Sequence, residues 1–101
     1  MPAPSITRVD AQINTVSIFW DYQQAASLVE IVIYWCDMDK CNGNPSELSL
    51  DISLKLCTVR NLKPCVTYLV WMRARDSQGF LTSKSQTMRV NTFIEGNIIS
   101  K

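Results

Sequence analysis

A turn followed by a strict two-residue alternation limits the fold of this chain more than any other feature. After the proline-containing stretch 62–67, apolar side chains recur at Tyr68, Val70, Met72 and Ala74. This period is that of a β-strand with one face buried and the other exposed. The segment then ends in a polar break. We therefore expect a half-buried strand over roughly 68–75.

The rest of the chain divides into short segments of similar character. A short helix is possible within 21–27, but 29–35 is too rich in β-branched residues to continue it. The run 42–45 is a dense turn signal, and 76–79 forms a second turn. Short strands separated by turns favour a β-sandwich. The further strands are predicted at 5–9, 15–20, 30–36, 48–50, 52–59 and 87–92.

Size and charge exclude several classes of function. The 101 residues are enough for one domain with a real core. A net charge of +1 steers the whole chain toward neither nucleic acid nor an anionic membrane. No apolar run approaches the roughly 20 residues that span a bilayer. We expect no nucleic-acid partner and no direct membrane contact.

The residues for catalysis or metal binding are also missing from the sequence. There is no histidine and no glycine-rich phosphate loop, so common nucleophilic and acid–base sites cannot be assembled. The stretch 37–41 begins like a calcium loop, but Leu48 stands where the terminal carboxylate is needed. The four cysteines lack the paired spacing of zinc knuckles. We therefore expect no enzyme, no cofactor, no metal and no small-molecule substrate.

The segment 62–76 resembles the turn and following strand of a fibronectin type III domain, including its tyrosine corner. The resemblance implies an all-β, seven-stranded antiparallel Greek-key β-sandwich of immunoglobulin-like type. It also implies a domain over 1–92 and a C-terminal tail over 93–101. The other residues at the family's spacing are Trp20, Leu62, Pro64, Ala74, Gly79 and Thr92.

The cysteines allow either two disulfides or reduced thiols. The geometry that the resemblance implies places Cys36, Cys41 and Cys65 at one end of the sandwich. Cys36 and Cys41 could then close a small hairpin loop. Cys57 and Cys65 would lie beyond the usual disulfide separation, so we expect Cys57 to be buried and reduced. One disulfide, or none, would be present.

The same resemblance defines a candidate binding surface. If Tyr68, Val70 and Met72 point inward, the intervening side chains point outward, which makes an arginine-flanked tryptophan like those of interface centres. The alternative is an Arg–Trp stack that covers the sheet and needs no partner. Phe80 and Leu81, near a loop tip, form a second candidate unless the last strand buries one of them. The outward residues are Leu69, Trp71, Arg73 and Arg75, with Val32, Tyr34 and Arg89 as neighbours.

Two branches of the family differ in what they imply. Arg73-Ala74-Arg75 is similar to a strand of cytokine-receptor modules, but 82–85 supplies no tryptophan to stack on these arginines. The segments 56–59 and 68–76, with Gly79-Phe80, resemble the C-terminal domain of activating-transcription-factor-seven-interacting chromatin cofactors. Arg8-Val9 and Gln12 fit the same pattern.

That second resemblance implies recruitment of transcriptional or chromatin regulators to a cofactor of a histone methyltransferase, in the nucleus. The absence of an N-glycosylation acceptor agrees with an intracellular origin, because Pro45 disqualifies Asn44-Pro45-Ser46. The alternative is a ligand-binding or spacer domain of a receptor or adhesion ectodomain. In either case the expected partner is a protein, as a peptide segment or another domain.

Overall fold

The computed structural model describes residues 3–23 and 27–93. Its regular structure is almost entirely β-strand, with one short 3-10 helix at Met38–Lys40, just before the turn predicted at 42–45. Within the described residues, no helix is long and apolar enough to cross a membrane. The strands are β1 Ser5–Ala11, β2 Val16–Asp21, β3 Leu28–Asp37, β4 Ser46–Asp51, β5 Leu56–Val59, β6 Thr67–Asp76 and β7 Met88–Asn91.

The strands form two antiparallel sheets that pack face to face. One sheet has three strands in the order β1-β2-β5, and the other has four in the order β4-β3-β6-β7. The connection between β4 and β5 passes from one sheet to the other, as does the connection between β2 and β3. The predicted all-β sandwich is therefore confirmed.

The core lies between the sheets and is made by the inward residues of every long strand. In β6, the alternating residues Tyr68, Val70, Met72 and Ala74 are all buried, as the sequence predicts. Burying apolar surface of this kind stabilises a fold by about 25 cal/mol per Å². The other core residues include Val16, Ile18, Trp20 and Val59 of the three-stranded sheet and Ile31, Ile33 and Val90 of the four-stranded sheet.

The predicted tyrosine corner is present. The phenolic oxygen of Tyr68 accepts a hydrogen bond of 2.9 Å from the backbone N–H of Lys63. Leu62 is buried beneath the same turn, and its N–H donates to the carbonyl of Asn14. Cys65 has a φ of 57°, a left-handed conformation that reverses the chain just before β6. The turn is thus joined to both sheets.

A side chain also joins the two sheets along the edge where β1 lies near β7. The amide of Gln86 donates to the carbonyl of Ile6 at 2.9 Å and accepts from its N–H at 3.4 Å. The pairing of β1 with β2 shifts register between Ile6 and Arg8. Gln86 therefore acts as a one-residue strand partner next to this bulge.

The structure corrects some predicted boundaries. The strand expected over 52–59 begins only at Leu56, because Asp51 accepts hydrogen bonds from Ser53 and the chain turns there. Both long strands, β3 and β6, extend to ten residues. The N–H of Phe93 donates to the carbonyl of Gln12, and the carbonyl of Phe93 accepts from the N–H of Cys65. The domain boundary placed before Phe93 stays a prediction. Most of the tail, 94–101, and part of the possible helix, 24–26, lie outside the described residues.

Candidate protein-interaction surface

The outward side chains of the four-stranded sheet form the candidate surface, which we call the Trp71 face. Because β6 buries its even-numbered residues from Tyr68 to Ala74, its odd-numbered residues point away from the core. The strand pairing places Tyr34 beside Trp71 and Arg89 beside Leu69, as the sequence predicts. The face comprises Glu30, Val32 and Tyr34 of β3, Glu47, Ser49 and Asp51 of β4, Leu69, Trp71, Arg73 and Arg75 of β6, Arg89 of β7, and Lys84 of the segment between β6 and β7.

A three-membered stack occupies the middle of the Trp71 face. The rings of Tyr34 and Trp71 are nearly parallel, with an interplanar angle of 10° and centroids 5.7 Å apart. The ammonium of Lys84 lies 5.3 Å from the centroid of the Trp71 ring. Such a cation–π contact contributes about 0.5–1 kcal/mol at an exposed site. Trp71 is consequently partly buried by its own neighbours, and part of its surface stays exposed.

Lys84 is positioned by an irregular segment that binds β6 through hydroxyl groups. Thr82 Oγ1 accepts from the N–H of Ala74, and Ser85 Oγ accepts from the N–H of Met72, each at 3.0 Å. The N–H groups of Thr82 and Ser85 donate in return to the carbonyls of Ala74 and Met72. Both hydroxyl residues are buried, so the segment is held firmly and Lys84 between them is directed outward.

The sequence did not identify Lys84. Neither periodicity nor composition predicts this contact, because the segment 82–85 belongs to no regular strand. The one available signal was the pair of hydroxyl residues that flank Lys84. They stand in the segment where cytokine-receptor modules have tryptophans. In this chain the tryptophan is on β6 and the cation on the connecting segment, so the stack is built the other way round.

The predicted cations of the Trp71 face differ in their pairing. Arg75 Nε lies 3.4 Å from Glu30 Oε1, an ion-pair distance. The same Nε–H makes no hydrogen bond of good geometry, so the contact is a loose ion pair on a half-exposed surface. Within the described residues, neither Arg73 nor Arg89 has a carboxylate within ion-pair distance. Two cations beside the aromatic stack therefore have no ion-pair partner in the part of the chain that the structure describes.

Val32 has the predicted position beside β6 but lacks the exposure expected of the candidate surface. It lies on the outward side of β3, beside Arg73 of β6, yet it is completely buried and does not belong to the central core. Its neighbours on the Trp71 face are long enough to cover it, as amphipathic arginine side chains commonly do. Part of the Trp71 face thus forms a second, thin apolar layer. This observation agrees with the alternative in which the stacked side chains cover the sheet and need no partner.

The environment of Tyr34 reflects its place on this face. Partial burial raises the pKa of the Tyr34 phenol, and the carboxylate of Glu47 raises it further. Arg73 and Arg75 oppose these effects on the pKa. Tyr34 therefore lies between an acidic neighbour on β4 and basic neighbours on β6.

The second candidate, at the turn after β6, presents two exposed apolar side chains. Phe80 is 65% exposed and Leu81 37%, so the last strand buries neither of them. The carboxylate of Asp76 accepts from the N–H groups of Gln78 and Phe80 and fixes the turn. Phe80 lies at the end of the sheet, outside the stack of the Trp71 face.

One of the cysteine arrangements left open by the sequence is present, and Cys57 is less buried than predicted. Cys36 and Cys41 form a disulfide that closes the loop between β3 and β4, with their Cα atoms 5.4 Å apart. Cys57 is free and half-buried, and Cys65 is free and exposed. Burial raises the pKa of the Cys57 thiol, with Arg60 opposing the effect. Within the described residues, no group of three or more potential ligands lies close enough to hold a metal ion.

Comparison with solved structures defines the class of fold. The chain superposes on the FN1–FN3 domains of chicken CNTN1 with a TM-score of 0.78 and 19% identity, covering 91% of this chain and 33% of that one. The chain thus spans about a third of the chicken structure. It superposes on the fn3 domain of human contactin 1 with a TM-score of 0.83 and 15% identity, covering 100% and 85%. The chain has the fibronectin type III fold.

At this low identity the likeness shows the fold alone. A third similar structure, a β-1,2-glucanase from Parabacteroides distasonis, has a TM-score of 0.76 at 15% identity. The match covers 90% of this chain and only 12% of the glucanase chain. No family model and no curated protein matches the sequence. None of these comparisons supports the branch of chromatin cofactors.

Proposed function

We propose that this chain is a non-catalytic protein–protein interaction module whose partner docks on the Trp71 face. The observation that carries the proposal is the stack of Tyr34, Trp71 and Lys84, flanked by Arg73 and Arg89, which have no acidic partner among the described residues. Tryptophan, tyrosine and arginine dominate the energetics of protein interfaces. Domains of this fold generally act as interaction or spacer modules.

The absence of catalysis is part of this proposal. A chain without histidine lacks the usual proton-transfer group, and no buried carboxylate pair replaces it among the described residues. The likeness to a glucanase involves only a small share of that enzyme's chain, so it does not argue for hydrolysis. The partner is a peptide segment or another domain that supplies acidic and apolar groups.

Two settings are proposed for the module. Recruitment of transcriptional or chromatin regulators in the nucleus is suggested only by the similarity of 56–59 and 68–76 to the chromatin cofactors. A ligand-binding or spacer role in a receptor or adhesion ectodomain is favoured by the disulfide between Cys36 and Cys41. Disulfides persist in oxidising compartments and are rare in the cytosol and nucleus.

Photo-crosslinking from defined positions tests whether the Trp71 face is where the partner binds. A photoreactive phenylalanine analogue replaces Leu69 on this face or, as a matched control, Leu56 on the outward side of the other sheet. Extracts of the source cells are then irradiated with each variant. We expect a specific adduct from position 69 that Trp71→Ala removes. Equal adducts from both positions would contradict the proposal.

A further inference from the structure

The charged groups of the Trp71 face are separated by sign across the sheet. The strand pairing aligns Asp51 with Glu30 and Glu30 with Arg75, and it aligns Glu47 with Tyr34 and Tyr34 with Trp71. Every acidic group therefore lies on β4 or β3, and every basic group lies on β6, β7 or the segment between them. The acids are Glu30, Glu47 and Asp51; the bases are Arg73, Arg75, Lys84 and Arg89.

The aromatic pair lies at the boundary between the two signs. Tyr34 is on the acidic side and Trp71 on the basic side, with their rings stacked across the boundary. Among the described residues, Glu30 and Arg75 make the only ion pair within this face. Most of its charges are thus available to groups of opposite sign brought by a partner.

We propose that the Trp71 face binds the same face of a second copy of this chain, about a two-fold axis parallel to the strands. The inference rests on the proposed function, since it names the occupant of that surface. A rotation about this axis reverses the order of the strands and places β4 over β7 and β3 over β6 of the second copy. Glu47 then faces Lys84, Glu30 faces Arg75, and Tyr34 faces Trp71.

The charge pattern favours this axis over a two-fold axis that runs across the strands. A two-fold axis across the strands would place β4 over β4, and Glu47 and Asp51 would oppose the same acids of the second copy. Like charges opposed at an interface are strongly unfavourable. The strand-parallel axis opposes each acid to a base, and an interface that is self-complementary in this way is what a two-fold dimer requires.

The size of the face predicts a weak association. The face is four strands wide, with strands about 4.8 Å apart, and about six residues long, with a rise of about 3.3 Å per residue. These dimensions give a surface of roughly 400 Å² per copy. Two such surfaces bury less than the roughly 1,200 Å² at the lower limit of standard interfaces. We therefore expect an equilibrium between monomer and dimer that is seen only at high concentration.

Sedimentation velocity on the complete chain, from about 10 μM to 1 mM, tests this inference. The wild type should shift from monomer toward dimer with concentration. Glu47→Lys and Lys84→Glu should each weaken self-association by at least about tenfold, because each places like charges opposite one another. An equimolar mixture of the two variants should associate like the wild type, since each lysine then faces a glutamate. Asp10→Lys and Arg60→Glu, away from the Trp71 face, serve as charge-matched controls.

A wild type that stays monomeric throughout this range would overturn the inference, as would a mixture that stays monomeric while the wild type dimerises. Controls that weaken association as much as the two variants would also overturn it, because the effect would then follow net charge. A monomeric wild type that still gives the specific adduct from position 69 would leave the proposed function standing. The absence of both dimer and adduct would contradict both proposals.

Discussion

The hydroxyl of Tyr68 and the backbone N–H of Lys63 are joined by a hydrogen bond of 2.9 Å across the turn that precedes β6. Tyr68 also belongs to the core, so this one residue connects the turn to the packing between the sheets. The Trp71 face is built on β6, and its geometry depends on where this strand begins.

Replacing Tyr68 by phenylalanine should lower the free energy of unfolding by about 1–3 kcal/mol. The ring would remain packed, but the N–H of Lys63 would lose its acceptor in a partly buried turn. Urea denaturation measures the change. Tyr34→Phe is the matched control, and its effect should stay within about 0.5 kcal/mol, since its hydroxyl lies on the solvent side of the sheet. Equal effects of the two substitutions would contradict this role of Tyr68.

Replacing Ser85 by alanine should destabilise the domain by about 1–3 kcal/mol, because the buried N–H of Met72 loses the hydroxyl that accepts from it. Ser83→Ala provides the control, since the Ser83 side chain is exposed and makes no hydrogen bond among the described residues. Thermal or urea unfolding of both variants gives the comparison. A Ser85 variant as stable as the control would show that the hydroxyl does not hold this segment.

Alkylation of the native protein should modify Cys65 first and Cys57 much more slowly. Cys65 is exposed, whereas Cys57 is half-buried and burial raises the pKa of its thiol, which lowers the fraction of reactive thiolate. Intact mass should show two modified cysteines when the protein is denatured without reductant, and four after reduction. Four modified cysteines before reduction would contradict the disulfide and favour the intracellular setting.

The pKa of Tyr34 should fall when Glu47 is replaced by glutamine, because a neighbouring negative charge that disfavours the phenolate is removed. Ultraviolet titration of the phenolate, with Tyr34→Phe to assign the transition, measures the change. The pKa of the Tyr34 phenol is raised in the folded state. The stability linked to its protonation is therefore present at pH values below the pKa of about 10 in the unfolded chain, and it is lost as the pH rises through the pKa in the folded state. An unchanged transition would show that Glu47 does not act on Tyr34.

Much of the fold followed from local sequence patterns. The alternation from Tyr68 to Ala74 could be predicted because it depends on spacing along one strand, whereas the tyrosine corner was implied by the resemblance of 62–76 to the fibronectin type III family. The pairing of Tyr34 with Trp71 also followed once these strands were placed in the family's order. The start of β5 could not be predicted, since the alternation runs unbroken through Ile52 and only the Asp51 carboxylate shows where the chain turns.

Other features of the candidate surface depend on contacts between distant segments. The burial of Val32 arises from side chains on neighbouring strands, and the position of Lys84 arises from hydroxyl groups that bind the backbone of β6. The segregation of charge requires the register of four strands at once. No pattern within a single segment carries this information.

The affinity of a Trp71→Ala variant for the protein captured from position 69 tests the central claim most directly. We expect a loss of at least about 2 kcal/mol, or roughly 30-fold in Kd, as for the aromatic centre of an interface. Leu56→Ala, on the outward side of the other sheet, should bind like the wild type, and circular dichroism should show both variants folded. A folded Trp71→Ala variant with unchanged affinity would contradict the account and leave the stack of Tyr34, Trp71 and Lys84 as a covering for the sheet.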